Sequence, residues 1–214
     1  MSRIELQQSG VLFNPELHQY WLNGKELSGI TALLQRQLFP GEYDKVPPRI
    51  LQAAAEYGTD VHTRCENFDS LWINDGSQEV LDYINICKEH QLSHEASEYT
   101  VTDGLNYASN IDKCYRVSDD CFSIGDIKTY YGKLSGDKLE KCRWQLSIYA
   151  YLFELQNRQA SVDKLFVIHL RNKQKKDGRF DHISEIVFVD RIPSAICKEL
   201  LDCDLRGEQF VYPS

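Results

Sequence analysis

What the chain lacks narrows its identity first. No stretch approaches the 18 or more consecutive apolar residues of a membrane-spanning helix, so no membrane association is expected. The opening residues, Met1–Gln7, carry no basic region leading into an apolar run, so no secretory leader is expected either. Seven cysteines (Cys65, Cys87, Cys114, Cys121, Cys142, Cys197 and Cys203) are scattered and form no C-x-x-C pair. That argues against a zinc ribbon or thioredoxin-like site and reads as reduced thiols in a cytoplasmic protein. No internal repeat, low-complexity tract or linker interrupts the chain.

The 214 residues are 42% hydrophobic and 26% charged, close to the averages of soluble globular proteins. A single domain over 1–214 can bury roughly 70% of its unfolded surface without disulfides. Lysine and arginine number 24 against 32 acids, a net charge of −8. Nucleic-acid binders are usually basic, so this balance argues mildly against one.

Residues 11–31 carry a hairpin signal. Val11-Leu-Phe and Gln19-Tyr-Trp-Leu flank turn residues, and Asn23-Gly24 is a strong two-residue turn. Ser28 or Thr31 is placed to cap a helix through Ala32-Leu-Leu, which Pro40-Gly41 ends. A second helix starts at Pro47-Pro48 and runs to Trp72, with a break near Gly58 left open and Val61, Cys65, Phe68 and Trp72 as its buried stripe. A third covers about Gln78–His90, with Val80, Ile84 and Cys87 inward. The period then changes to that of strands, over 98–102, 110–117 and 121–129, with Ser118-Asp119-Asp120 as a tight connection. Asp137 and Glu140 read as a capping box for a helix through Glu154, with Trp144, Ile148, Tyr151, Leu152 and Leu155 on its apolar face. Strands over 164–170 and 183–189 and a short helix after Pro193 complete an α/β (α+β) chain with a mixed sheet.

Chemistry concentrates at Ile124-Gly-Asp126-Ile-Lys128-Thr129. Asp126 and Lys128 lie two apart in a strand and so share a face, and Asp112 on the neighbouring strand can approach them. Two carboxylates can hold a hard divalent cation, and a lysine can orient an attacking water or offset charge developing on phosphorus. This is the only D/E-x-K in the chain, and it sits in an otherwise apolar strand. His62 stands one turn before Glu66 on the second helix, and Gln145 one turn before Tyr149 on the fourth. Alone, each has an ordinary reading as a core histidine or a helix rim.

In this order the motifs resemble the PD-(D/E)XK nuclease superfamily, in its RecB-type and phage exonuclease branch. They read Gly58-Thr-Asp-Val-His62, Ile111-Asp112, Gly125-Asp126-Ile-Lys128-Thr129 and Gln145-Leu-Ser-Ile-Tyr149. His18-Gln-Tyr20-Trp-Leu-Asn-Gly24 through Gly29-Ile-Thr31 resembles the N-terminal hairpin of phage-borne members. The resemblance spans about residues 13–155. It implies a restriction-endonuclease-like core, a central mixed β-sheet flanked by helices. It implies His62, Asp112, Asp126 and the Ile127 carbonyl as ligands of Mg2+ or Mn2+, with Glu98 as a further ligand for which Glu66 and Glu95 compete. Lys128 would position the water nucleophile, and Gln145 and Tyr149 would brace the site or touch the nucleic-acid backbone. Relatives that carry an iron–sulfur cluster use one early and three late cysteines. Cys65 is early here but only Cys197 and Cys203 are late, so no cluster is expected. A G-x-x-x-x-G-K-S/T loop is missing too, so any nucleotide-driven motor would be a separate protein.

Two basic groups are placed to meet phosphates: Lys133, Lys138, Lys141 and Arg143 after the Asp-x-Lys strand, and the turn Arg171–Arg179. The first is favoured because it follows the motif directly. The expectation is a metal-dependent exonuclease acting on linear duplex DNA with free ends, in phage-type recombination or repair. A recombination partner protein and a homo-oligomer are compatible with it, and nothing separates DNA from RNA. The alternatives are a structure-specific or restriction-like endonuclease and a non-catalytic module that binds DNA or a recombination partner. The net charge is then accommodated, because acids assigned to a cation are neutralised when it binds and the rest can face away from the substrate.

Overall fold

A computed structural model describes residues 3–213 except Glu16 and Lys176. Among these residues, eight strands form one mixed sheet and five helices cover it. The order is β1 (Leu12–Asn14), β2 (Gln19–Leu22), β3 (Lys25–Gly29), α1 (Ile30–Gln37), α2 (Pro48–Leu71), α3 (Gln78–Glu89), β4 (His94–Thr102), β5 (Tyr107–Arg116), β6 (Cys121–Lys128), α4 (Asp137–Gln156), β7 (Ser161–Gln174), β8 (Phe180–Val189) and α5 (Ser194–Arg206). No described helix is long and apolar enough to cross a membrane.

The sheet runs β1-β2-β3-β5-β6-β7-β8, with β4 paired to β5. Asn23 and Gly24 form the β2–β3 turn at φ 52° and 80°, the positive angles that a tight hairpin requires. The hairpin joins the main sheet, because Ser28 and Gly29 pair in parallel with Tyr107 and Ala108. β4 pairs β5 from Ala108 to Tyr115, so β3 and β6 share the other edge of β5. There β6 pairs only with Lys113–Arg116. Between the two contacts the edge of β5 is open. α4 then carries the chain over to β7, which lies parallel to β6.

Two cores result. Val61 and Cys65 of α2 and Tyr83 and Ile86 of α3 pack with Tyr115, Ile127, Phe166 and Ile168 on one face. On the other, α1, α4 and α5 pack over Val101, Ile111, Ile124 and Val167. Alternation along β6 therefore sends Ile127 toward α2, and Asp126 and Lys128 to the face of α4.

Several local expectations change. α2 is continuous through Gly58, where an added Cβ would lie 3.4 Å from Thr129 Oγ1; the glycine serves close approach, not a break. Trp72 leaves the stripe because the helix ends at Leu71; it is the left-handed C-cap and 81% exposed. Gly29 caps α1 without any side-chain hydrogen bond, since Ser28 is still strand and its hydroxyl accepts from Arg36. Asp137 is the first residue of α4 rather than its cap, which is Gly136 at φ 57°, and Glu140 bonds to Arg143 instead. α4 is buried on most of its surface, yet Leu155 is exposed. Within the basic turn 171–179, Lys176 lies outside the described residues.

Candidate active site

The open edge of β5 is where the motif residues meet. The β5–β6 ladder stops at Lys113 and Gly125. Beyond that point, side chains take over its hydrogen bonds at Ile127. Ile127 N–H donates to Asp112 Oδ2 at 2.9 Å, and the Ile127 carbonyl accepts from His62 Nε2 at 2.8 Å. His62 reaches the gap because α2 lies close against the end of β6 at Gly58.

A second irregularity aims the acids. Ile111 and Cys114 of β5 pack in one core three residues apart, and so do Ala96 and Tyr99 of β4, where a regular strand alternates by two. Between the pairs Ser97↔Lys113 and Tyr99↔Ile111, Glu98 adopts a left-handed φ of 49°. Such a conformation is strained for a residue with a Cβ and is a common mark of a functional site. One ligand atom each of His62, Glu98 and Asp112 lies within 4.8 Å of the others. Glu95 is elsewhere, paired with Arg116 and Arg3. Glu66 is near enough that its charge acts on Glu98.

Asp126 sits beside this group rather than in it. Its Oδ1 accepts a 3.3 Å bond from Gln145 Nε2, and Lys128 Nζ stands 2.6 Å from Oδ2. That contact is an ion pair without hydrogen-bond alignment, so the fully buried Oδ2 has no donor. Gln145 also donates to the Tyr149 hydroxyl at 2.7 Å, which accepts from Ser109 at 3.0 Å. Tyr149 is thus buried and engaged within the protein, and its link to the site runs through Gln145.

Electrostatics follow from four acids in a crowded space. Burial pushes Asp126 above the usual carboxylate range; Lys128 opposes that and Asp112 adds to it. Burial also opposes the charge on Lys128, but Asp126, Tyr130 and Asp112 outweigh it and keep the ammonium protonated. Glu98 opens to solvent on one side, yet protein atoms crowd its carboxylate; this desolvation, then Asp112, raises it to about 7. The nitrogens of His62 are similarly enclosed although the ring is 28% exposed, and burial lowers its pKa against the pull of Asp112. A neutral His62 that donates Nε2–H to Ile127 turns a bare Nδ1 toward Asp112 Oδ2, 3.4 Å away. Two acceptors facing each other and an excess of acids fit a bound divalent cation. The imidazole among oxygen donors suits manganese as well as magnesium.

The favoured basic group is partly spent on the protein itself. Lys141 is buried against Glu42, and Arg143 bonds Glu140 and the Asp190 carbonyl. Lys138 donates to the Tyr131 carbonyl and Lys133 is exposed. The chain signals neither the Glu98 backbone strain nor the Lys113–Asp69 ion pair beneath the site, because both depend on contacts between distant segments.

No family model and no curated protein matches the chain. Among solved structures, the crystal structure of SSO0001 is similar over 87% of this chain and 78% of its own, at 15% identity and a TM-score of 0.44.

Proposed function

We propose that this chain is a metal-dependent nuclease with a restriction-endonuclease-like core, cutting phosphodiester bonds at the ends of linear DNA in recombination or repair. The observation that supports this is the convergence, at the open edge of β5, of six motif residues from four separate segments: His62, Asp112, Asp126, Lys128, Gln145 and Tyr149. The antiparallel β4–β5–β6 meander, the α4 crossover and the parallel β7 agree with the core that the sequence resemblance implies.

His62, Glu98, Asp112 and Asp126 are the residues that would hold magnesium or manganese, together with the Ile127 carbonyl. The ion supplies Lewis-acid polarisation of the scissile phosphate and a more acidic bound water. Lys128 stays protonated, orients the attacking water and offsets negative charge as it builds on the phosphate oxygens. Gln145 fixes the Asp126 carboxylate, and Tyr149 fixes Gln145.

Purified protein with magnesium or manganese should degrade end-labelled linear duplex DNA. Lys128→Ala and Asp112→Asn should each lower the rate by about 100-fold or more with the far-UV circular dichroism of the parent. Asp112→Asn should melt close to the parent, and Lys128→Ala lower, because it leaves the buried Asp126 without its cation. Full activity in both folded variants refutes the site. Cleavage of covalently closed circles at the linear rate makes the enzyme an endonuclease instead, and metal-independent DNA binding without cleavage makes it a binding module.

A further inference from the structure

The basic turn between β7 and β8 is the feature that the site leaves unused, and the structure ties it to the exit of the motif strand. His169 bonds the Tyr130 carbonyl at 3.0 Å and Arg171 the Thr129 carbonyl at 2.9 Å, so β7 straps the segment that follows Lys128. Positions two apart share a face, and beyond Arg171 that face continues with Lys173 and Lys175, both exposed. The Arg171 guanidinium lies 5.7 Å from the Tyr57 ring centre and 5.4 Å from that of Tyr131. Lys173 stands 5.1 Å over Tyr57, and Lys175 5.9 Å over Tyr131. Tyr131 is 65% exposed, so a large part of it remains free to stack. Lys138 reaches the same residue from α4, through the Tyr131 carbonyl. Two basic groups that lie far apart in the sequence therefore meet at one tyrosine. Asp181 pairs with Arg171 and lies 3.6 Å from Lys175, so a single carboxylate faces three cations over 171–175 and leaves the ledge net positive.

We propose that this ledge, Tyr131 with Lys173 and Lys175 beside Arg171 and Tyr57, docks a single-stranded segment of the nucleic-acid substrate as it passes the site. The assignment rests on the nuclease reading. Cations about 6.6 Å apart along a strand suit successive phosphates of an extended chain, and an exposed aromatic face takes any base. A duplex offers no unstacked base to Tyr131, which is why a single strand is the fitting ligand. The bland alternative is a solvated hairpin, but solvated lysines need no tyrosines beneath them, and here each lysine lies over one.

The test is fluorescence anisotropy with a labelled single-stranded oligodeoxythymidine and magnesium, in the Lys128→Ala background so that the probe stays intact. Lys173→Ala/Lys175→Ala should weaken binding about tenfold or more and flatten the log–log salt dependence by about 1.4, two phosphate contacts at about 0.7 each. Tyr131→Ala should weaken it about tenfold with the salt slope unchanged, and Tyr131→Phe should restore it, because stacking needs the ring and not the hydroxyl. Lys198→Ala, at an exposed position of α5, should change nothing. Unchanged affinity in both ledge variants, or no single-strand binding by the background protein, overturns the proposal. So does duplex binding that is tighter and indifferent to the ledge. If ledge variants bind normally while wild type cleaves DNA, the ledge alone fails. If they lose affinity while wild type cleaves nothing, the nuclease reading alone fails.

Discussion

Lys113 and Asp69 offer the sharpest test of how the site is held. Lys113 follows Asp112 on β5, and Asp69 lies two turns after His62 on α2. Their side chains are 2% and 5% exposed and 2.6 Å apart. Asp69 also accepts a 2.8 Å bond from the Tyr83 hydroxyl, and Lys113 donates to Ser97 at 2.9 Å. Coulomb attraction at this distance is about 6 kcal/mol at an effective dielectric of about 20, and desolvation of both charges offsets much of it. Removing one partner is a different matter. Lys113→Met leaves a buried carboxylate without its cation and should cost about 3–5 kcal/mol. At about 2–4 °C per kcal/mol for a chain of this size, melting should fall by about 6–20 °C. Lys113→Met/Asp69→Asn removes both charges and keeps an acceptor for the Tyr83 hydroxyl, so most of the loss should return. Urea unfolding followed by circular dichroism measures all three proteins. If Lys113→Met stays within about 0.5 kcal/mol of the parent, or the double variant is no better than the single, the pair does not carry the α2–β5 contact.

Two further perturbations probe neighbouring contacts. Gly125→Ala would place a Cβ 2.6 Å from Phe166 Cε2 and 3.1 Å from Tyr115 Cε2, one residue before Asp126. Overpacking of about 1–3 kcal/mol should appear in the unfolding curve, and Phe166→Leu in the same chain should relieve part of it; a neutral Gly125→Ala refutes the tight packing. The Glu95 carboxylate is held below its usual pKa by its bonds to Arg116, so its stabilisation is present above about pH 4.5 and lost as pH falls through the lower folded value. Glu95→Gln should therefore be less stable than the parent at pH 7, by about 1–3 kcal/mol, with the gap narrowing progressively as pH falls below about 4.5; a gap that does not change as pH falls rules out the charge as its source.

The elements were largely legible because their signals are local. Asn23-Gly24 can form only a turn of positive φ, Pro47-Pro48 suits a helix start and cannot continue one, and the change from period 3.6 to period 2 after His90 follows from side-chain geometry. The misses share a cause. Trp72, Leu155 and Gly58 obey helical periodicity, but whether a position is buried depends on where the helix stops and what packs against it. The site residues were legible as types in a given order. Their roles in space were less so. Lys141 and Arg143 look free in the sequence, yet Glu42, Glu140 and Asp190 claim them. The basic turn looks like a solvated tip, and only the fold sets it against Tyr57 and Tyr131.

The site exists because a sheet ladder fails there, and this bears on how its variants must be read. Past Lys113 and Gly125 the edges of β5 and β6 no longer pair, which would leave the Ile127 N–H and C=O without partners in a buried strand. Asp112 satisfies the first and His62 the second. An unpaired buried backbone group costs about 1–3 kcal/mol, so the same two side chains that would bind a cation also close the gap structurally. Truncating Asp112 to alanine strips both roles at once, and lost activity would then say little about the metal. Asparagine keeps an oxygen for the Ile127 N–H and removes only the charge. Its inactivity in a protein that melts like the parent is therefore the outcome that assigns Asp112 a task beyond holding β6 in place.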